Sequence, residues 1–216
     1  MLNENIYFCP YCNIKTNNSA CCELCANDLK NFVNKNLGKT QYCDSFTAPF
    51  LYDDIVRDAM LKFKFDNKKN FCKSFCYFMK ECDIFYSDII VSVPSFRSKS
   101  KYNTADLLAK RMSKFLNIKY NNRAVKKVRE TKLQHECDFN SRLLNLNDSF
   151  VASSNLVSGK DVLICDDIIT SGATIDEVAK ACKKAGAKNV YAIAFAISNG
   201  AFKNFSDFNK NFEIKF

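Results

Sequence analysis

No apolar run in this sequence reaches the roughly 20 residues that a helix needs to cross a bilayer, so a membrane-spanning segment is not expected. The first residues, Met1 to Asn5, lack the basic and apolar regions of a secretory leader, and the chain is expected to stay in the cytosol. Arginine is scarce, and nearly all the basic charge is Lys. Lys attracts phosphate as a point charge, whereas Arg reads base edges with its fork. A bound nucleic acid would therefore be held with little sequence preference. Histidine occurs once, at His135 in a polar window, where it reads as a bystander rather than a general base.

What is present is basic, aromatic and rich in cysteine. The 216 residues suffice for one ordinary domain and a small appendage. The formal net charge of +9 permits binding to nucleic acid, to a polyphosphate or to an anionic membrane surface. Lys, Asn, Phe and Ile also have AT-rich codons, so base composition accounts for part of the excess. Of twelve cysteines, five fall in the first 25 residues. Cys9-Pro10-Tyr11-Cys12 and Cys22-Glu23-Leu24-Cys25 form two C-x-x-C knuckles. Four thiolates at that spacing suit one tetrahedral Zn²⁺, which would supply the folding energy that so short a segment lacks. Cys21 competes with Cys22 as third ligand, but Cys22 keeps the x-x spacing to Cys25. A division into a zinc-binding module at 1–35 and a second domain at 36–216 follows.

The chain is organised around Asp161 to Thr174. Val162 to Cys165 read as a strand buried on both faces. Asp166 and Asp167 stand where that strand would end, and Ile168 and Ile169 lead into Thr170-Ser171-Gly172-Ala173-Thr174. A helical pattern opens behind, with Ile175, Val178, Ala179 and Cys182 on one face. Thr174 and Glu177 have the spacing of a capping box. A strand, a small-residue turn and a helix N-terminus make an anion cradle. Two carboxylates beside it suit ribose hydroxyls, which are donors, or a hydrated cation. The combination asks for a sugar phosphate.

Earlier segments are read as supports. Gln41 to Leu51 reads as a strand region that contains Cys43. Tyr52 to Phe65 reads as a helix with Ile55, Ala59, Met60 and Phe63 inward, and Lys62 and Lys64 near its end. A second helix places Phe71, Phe75, Phe78, Met79 and Cys82 on one face. Asp88 to Ser95 is a buried strand that ends at Pro94. The basic loop with Arg97, Lys99 and Lys101 leads to a helix from about Thr104, with Ala105, Leu108, Met112, Phe115 and Leu116 on its apolar side. Residues 123–142 suit a mobile lid over an anionic ligand, with Arg129, Lys132 and Gln134 as contact side chains. Val190 to Ile197 read as a strand after the Gly186 stop, and Phe202 to Phe216 as an edge strand.

The Asp166-to-Thr174 stretch resembles the signature of type I phosphoribosyltransferases, which bind phosphoribosyl pyrophosphate (PRPP). The order of motifs narrows the resemblance. Two cysteine knuckles precede a Tyr52-x-x-x-x-Arg57 helix ending Leu61-Lys62-Phe63-Lys64-Phe65. Val93-Pro94, a basic loop, Thr131-Lys132-x-Gln134, Arg142-x-x-Asn145 and the acidic loop follow. This order resembles ComF-type competence proteins. Where that family carries Arg-Gly-Phe-Asn-Gln, this chain has Ser100-Lys101-Tyr102-Asn103-Thr104.

The resemblance implies a type I phosphoribosyltransferase-like α/β fold with a mainly parallel sheet, flanking helices and an N-terminal zinc module. It implies PRPP or a related sugar phosphate, with Mg²⁺, as ligand. Asp166 and Asp167 would hold the ribose and act as the catalytic pair, and Thr170 to Thr174 would wrap the 5′-phosphate. Pro94, Ser95, Arg97, Lys99 and Lys101 would face the pyrophosphate. It also implies single-stranded DNA binding and a role in DNA import during natural transformation, near inner-membrane import machinery. The alternative reading is an active phosphoribosyltransferase acting on an unknown nucleobase or amine.

Overall fold

The structure, a computed structural model, describes residues 7–17, 20–30, 38–95, 102–129 and 148–198. Its centre is a sheet whose longest strands are β9 (Asp161–Ile169) and β10 (Asn189–Ile197). β9 lies between β10 and β5 (Ile89–Ser92), and β5 pairs outward with β6 (Lys119–Tyr120). On the far side β10 pairs with β3 (Ser45–Thr47) and β4 (Phe50–Leu51). Every strand pairing in this sheet among the described residues is parallel, and one antiparallel bridge, Gly38 to Phe46, adds to its β3 edge. A parallel sheet needs crossover connections and burial on both faces, which explains the continuous apolar runs of β9 and β10. The expected strand around Cys43 is two short ones with Pro49 between them, because proline offers no N–H to the ladder.

One face is covered by α2 (Asp54–Phe65), α3 (Phe71–Met79) and α4 (Thr104–Leu116). Phe63, Phe75, Phe78, Leu108 and Met112 bury there against Leu163, Cys165, Ile193 and Phe195. Phe75 stacks on Phe195 with ring centroids 3.9 Å apart. The aromatic faces expected of α2 and α3 are thus core. Two inward assignments are corrected. Ile55 is exposed and Val56 takes the buried position, while Phe115 is exposed with the Arg111 guanidinium 5.3 Å from its ring. Both sit at the margin of their helix's apolar stripe, where sequence spacing cannot say how far the neighbouring element reaches.

The opposite face is covered by α6 (Ala173–Lys184), whose Ile175, Val178 and Cys182 pack on Val162, Ile164 and Val190. A short helix, α5 (Ser154–Val157), precedes β9. An antiparallel ribbon, β7 (Val125–Lys127) with β8 (Phe150–Ala152), stands beside α6.

The N-terminal module has a small ribbon, β1 (Tyr7–Phe8) with β2 (Lys15–Thr16), and one helix, α1 (Glu23–Lys30). It shares the core of the larger part. Tyr11 is buried, its ring meets Phe78 at 5.9 Å, and its hydroxyl accepts a hydrogen bond from Ser74 at 3.1 Å. The tail Phe202 to Phe216, read as an edge strand, lies outside the described residues, as does His135.

Because Phe195 touches both Phe50 and Phe75, Phe195→Ala is expected to cost about 3–5 kcal/mol of unfolding free energy, measured by urea denaturation.

Candidate functional site

β5 and β9 end at different heights. The last ladder bond between them is Val93 N–H to the Cys165 carbonyl at 3.0 Å. Pro94 follows and has no N–H to continue. β9 runs on because β10 pairs with it as far as Ile169. The acidic pair therefore sits within the strand, not beyond its end as expected from sequence, along an edge that β5 has left open. This is also where the sheet order reverses: β5 leads outward to β6, and β9 leads the other way to β10. Ligands bind at such a switch point, outside the carboxyl ends of the strands.

Two adjoining hollows occupy it. The larger, about 400 Å³, is lined by Asp166, Asp167, Ile168, Ile169, Thr170 and Thr174, with Gly172, Pro94 and Ser95. The smaller, about 220 Å³, adds Asn103, Thr104 and Ala105. Of the small-residue turn, Thr170, Gly172 and Thr174 face the larger hollow, whereas Ser171 and Ala173 are buried. Gly172 has φ +77°, a conformation that favours glycine. The Ser198 hydroxyl donates to the Thr170 carbonyl at 2.8 Å and fixes the turn from below.

The expected capping box is absent. α6 begins at Ala173 with Gly172 as N-cap and no side-chain cap, so Thr174 and Glu177 lie inside the helix. Glu177 instead accepts the Asp148 N–H at 3.0 Å and pairs with Lys180 at 3.2 Å. Asp148 also meets Lys184 at 2.8 Å, and these two lysines lower its carboxyl below the usual carboxylate range. The bonds fasten the start of β8, the C-terminal root of the polar window, to α6.

The two aspartates differ in surroundings. Asp167 meets Lys64 Nζ at 3.0 Å and accepts the Thr104 hydroxyl. Asp166 has no such cation in contact among the described residues; its Oδ1 accepts the Asp167 N–H at 2.8 Å. Burial, reinforced by the Asp167 charge, pushes the Asp166 carboxyl up to about 8. At neutral pH Asp166 thus keeps its proton. A donor-rich ligand such as a vicinal diol can take the place of the proton.

Lys64 and Thr104 went unassigned in the sequence reading, though Lys64 stood in a run already noted. Nothing local shows that the end of α2 meets the end of β9. Lys127, at the rim of the larger hollow with its ammonium 5.6 Å from the Phe150 ring, was likewise unassigned. Asn103, the position at which this chain keeps the Asn of the family run, caps α4. Its Oδ1 accepts the Asp106 N–H at 3.2 Å while its Nδ2 donates to the Val93 carbonyl at 3.1 Å. Arg129 is described and exposed just beyond β7. Arg97, Lys99, Lys101, Lys132 and Gln134 lie outside the described residues.

The four predicted cysteine ligands come together. The Sγ atoms of Cys9, Cys12, Cys22 and Cys25 all lie within 4.8 Å of one another, and Cys12 and Cys22 are 3.6 Å apart. Tetrahedral ligation of zinc by thiolate places sulfurs about 3.8 Å apart, so the set fits that ion. Cys21 is outside the set, buried in the shared core. Burial first, and then the neighbouring thiols, push the Cys25 thiol far up, so four ionised sulfurs at this spacing require a cation. Purified protein is expected to carry about one zinc per chain. Cys22→Ser should lose the metal and lower the melting temperature. Cys21→Ser should keep it, as read by elemental analysis.

The family model described as "Phosphoribosyl transferase domain" matches residues 102–212. Competence protein F of Haemophilus influenzae is 32% identical over 108 residues, covering 48% of this chain and 47% of that protein. DNA utilization protein YhgH of Escherichia coli K12 is 33% identical over 106 residues, covering 48% and 46%. The chain thus matches just under half the length of these relatives. Among solved structures, the glutamine PRPP amidotransferase of B. subtilis is similar with 20% identity and a TM-score of 0.39, covering 56% of this chain and 25% of that one. By the domain match, which spans more than half of its residues and contains the acidic pair and the turn behind it, the chain belongs to the phosphoribosyltransferase domain family.

Proposed function

We propose that this chain is a ComF-type protein that binds PRPP or a related sugar phosphate in the switch-point cleft and single-stranded DNA on a Lys-rich surface, in the service of DNA import during natural transformation. The observation that supports the sugar-phosphate half is the arrangement of Asp166, Asp167 and the turn from Thr170 to Thr174 around one hollow. In this reading the two carboxylates accept the ribose hydroxyl protons, and Ile168 and Ile169 carry the chain past the sugar. The 5′-phosphate sits on the turn at the start of α6, where helix dipole and hydroxyl donors favour an anion. The pyrophosphate and its Mg²⁺ lie towards Pro94 and Ser95, with Arg97, Lys99 and Lys101 as counter-charges. Arg129, Lys132 and Gln134 close over them.

The DNA half is supported by the names of the relatives, a competence protein and a DNA utilization protein, and by the net charge of +9. The four cysteines would hold structural zinc in a module of residues 1–35, ahead of a phosphoribosyltransferase-like domain at 36–216. No helix among the described residues is long and apolar enough to cross a membrane, so contact with the inner-membrane import machinery would be peripheral.

The same cleft supports a second reading, catalysed phosphoribosyl transfer. The bond from the ribose C1 to pyrophosphate would break, and a nucleobase or amine would form the new bond. The aspartates would hold the sugar through an oxocarbenium-like state, with Mg²⁺ neutralising the leaving pyrophosphate. Pyrophosphate release over a panel of acceptors separates the two: binding without turnover favours the first.

Calorimetric titration of PRPP with Mg²⁺ should give a dissociation constant about tenfold to a hundredfold weaker for Asp166→Asn/Asp167→Asn than for wild type, the weight of one or two charge-assisted hydrogen bonds. Equal affinities would remove the reading.

The raised Asp166 value sets a pH signature. Ionisation through about 8 creates the acceptor that the ribose needs, so affinity should rise about tenfold from pH 7 to pH 9. Asp166→Asn should flatten that rise. Stability moves oppositely, because the folded state keeps a proton that the unfolded chain releases near 3.8. The stabilising share of this group is whole below that value and is lost as pH rises through about 8. Asp166→Asn should therefore gain on wild type in urea denaturation between pH 5 and pH 9.

A further inference from the structure

A third hollow, of about 470 Å³, lies on the α3 and α4 side and shares no lining residue with the cleft. Its walls carry five cations: Lys69 from the turn before α3, Lys73 from its first turn, and Lys110, Arg111 and Lys114 from the second half of α4. No carboxylate lines it among the described residues. Asp106 pairs with Lys110 at 2.8 Å.

Lys110 and Lys114 are four apart on α4, so the pair shares one flank and repels. α3 also has no acidic residue in its first turn. Cations there oppose the helix dipole instead of complementing it. Positive charge converging from two helices into one concavity is a device for holding a polyanion, since an enclosed basic cleft focuses the field.

Aromatic rings border the charge. Tyr7 of the cysteine module forms one wall, the Lys69 ammonium stands 5.0 Å from the Tyr102 ring, and exposed Phe115 lies beside Arg111. Rings between cations suit a chain with unpaired bases, which can stack while its phosphates follow the lysines. A duplex presents phosphates only on a broad rod and cannot enter a hollow of this size. Four lysines to one arginine favour backbone contact over base readout.

We propose that this groove between α3 and α4, walled by Tyr7, is the face that holds the phosphate backbone of single-stranded DNA. The proposal rests on the single-stranded DNA reading given above and assigns it a place. It also gives the cysteine module a part in binding, as one wall of the groove. α4 joins the two sites: Thr104 at its start touches Asp167, and Lys114 lies about 15 Å further along the axis at the helical rise.

The test is fluorescence anisotropy of a labelled 15-nucleotide oligothymidylate across a salt series. Lys69→Ala/Lys73→Ala/Lys114→Ala is expected to bind at least about tenfold more weakly at low salt. The slope of log affinity against log salt should fall by about 2, since each single-strand phosphate contact contributes about 0.7. The matching triple Lys→Arg variant should retain binding, and PRPP affinity should be unchanged in both, which excludes misfolding as the cause. If wild type binds and the alanine variant keeps its affinity and slope, this face is wrong while the DNA reading stands. If wild type does not retain the oligonucleotide, both fall together. Retention of phosphatidylglycerol vesicles or duplex DNA in place of the single strand would also overturn the proposal.

Discussion

The structure depends on a difference in height between two neighbouring strands. β5 stops at Pro94, which has no N–H to offer, while β10 keeps β9 extended to Ile169. The four residues from Asp166 to Ile169 thus keep a partner on one side and open onto a hollow on the other. A longer β5 would cover the carboxylates with backbone; a shorter β10 would leave them on a loose loop. Parallel pairing places the ends of β5, β9 and β10 on one side of the sheet. The capless start of α6 and the glycine turn therefore meet the cleft rather than the opposite edge.

Within that cleft, electrostatics follows from what each carboxylate touches. Lys64 at the end of α2 and Thr104 at the start of α4 satisfy Asp167. Asp166, whose partner among the described residues is its own strand's Asp167 N–H, is pushed up to about 8 by burial and its charged neighbour. The unequal pair is a site whose charge a ligand can change. Two side chains from separate helices hold one aspartate, and so couple the α2–α3–α4 layer to the cleft.

α3 is the other joint. Phe75 and Phe78 pack on the sheet, Tyr11 of the cysteine module inserts against both rings, and Lys69 and Lys73 face the basic groove. A segment as short as the module cannot bury enough surface to stand alone, which is why its core residues belong to the larger cluster. A metal held by the four cysteines would fix its local geometry, and α3 fixes where it sits.

The α/β class, the strand–acidic pair–turn–helix order and the four-cysteine set were legible in the sequence, because each is local. Buried parallel strands read as apolar runs, small residues mark close backbone approach, and C-x-x-C spacing presents two sulfurs on one side of a turn. Spacing left Cys21 and Cys22 in competition, and the structure brings Cys22 into the cluster. Only tertiary structure decided that β9 extends past the acidic pair, since the pairing partner lies beyond Gly186. It also decided that Glu177 serves Asp148 rather than a cap, that Ile55 and Phe115 face outward, and that Lys64 reaches Asp167 across a hundred residues. Those outcomes are set by contacts between segments distant in the chain, whereas a residue's neighbours in sequence constrain only its own turn or strand.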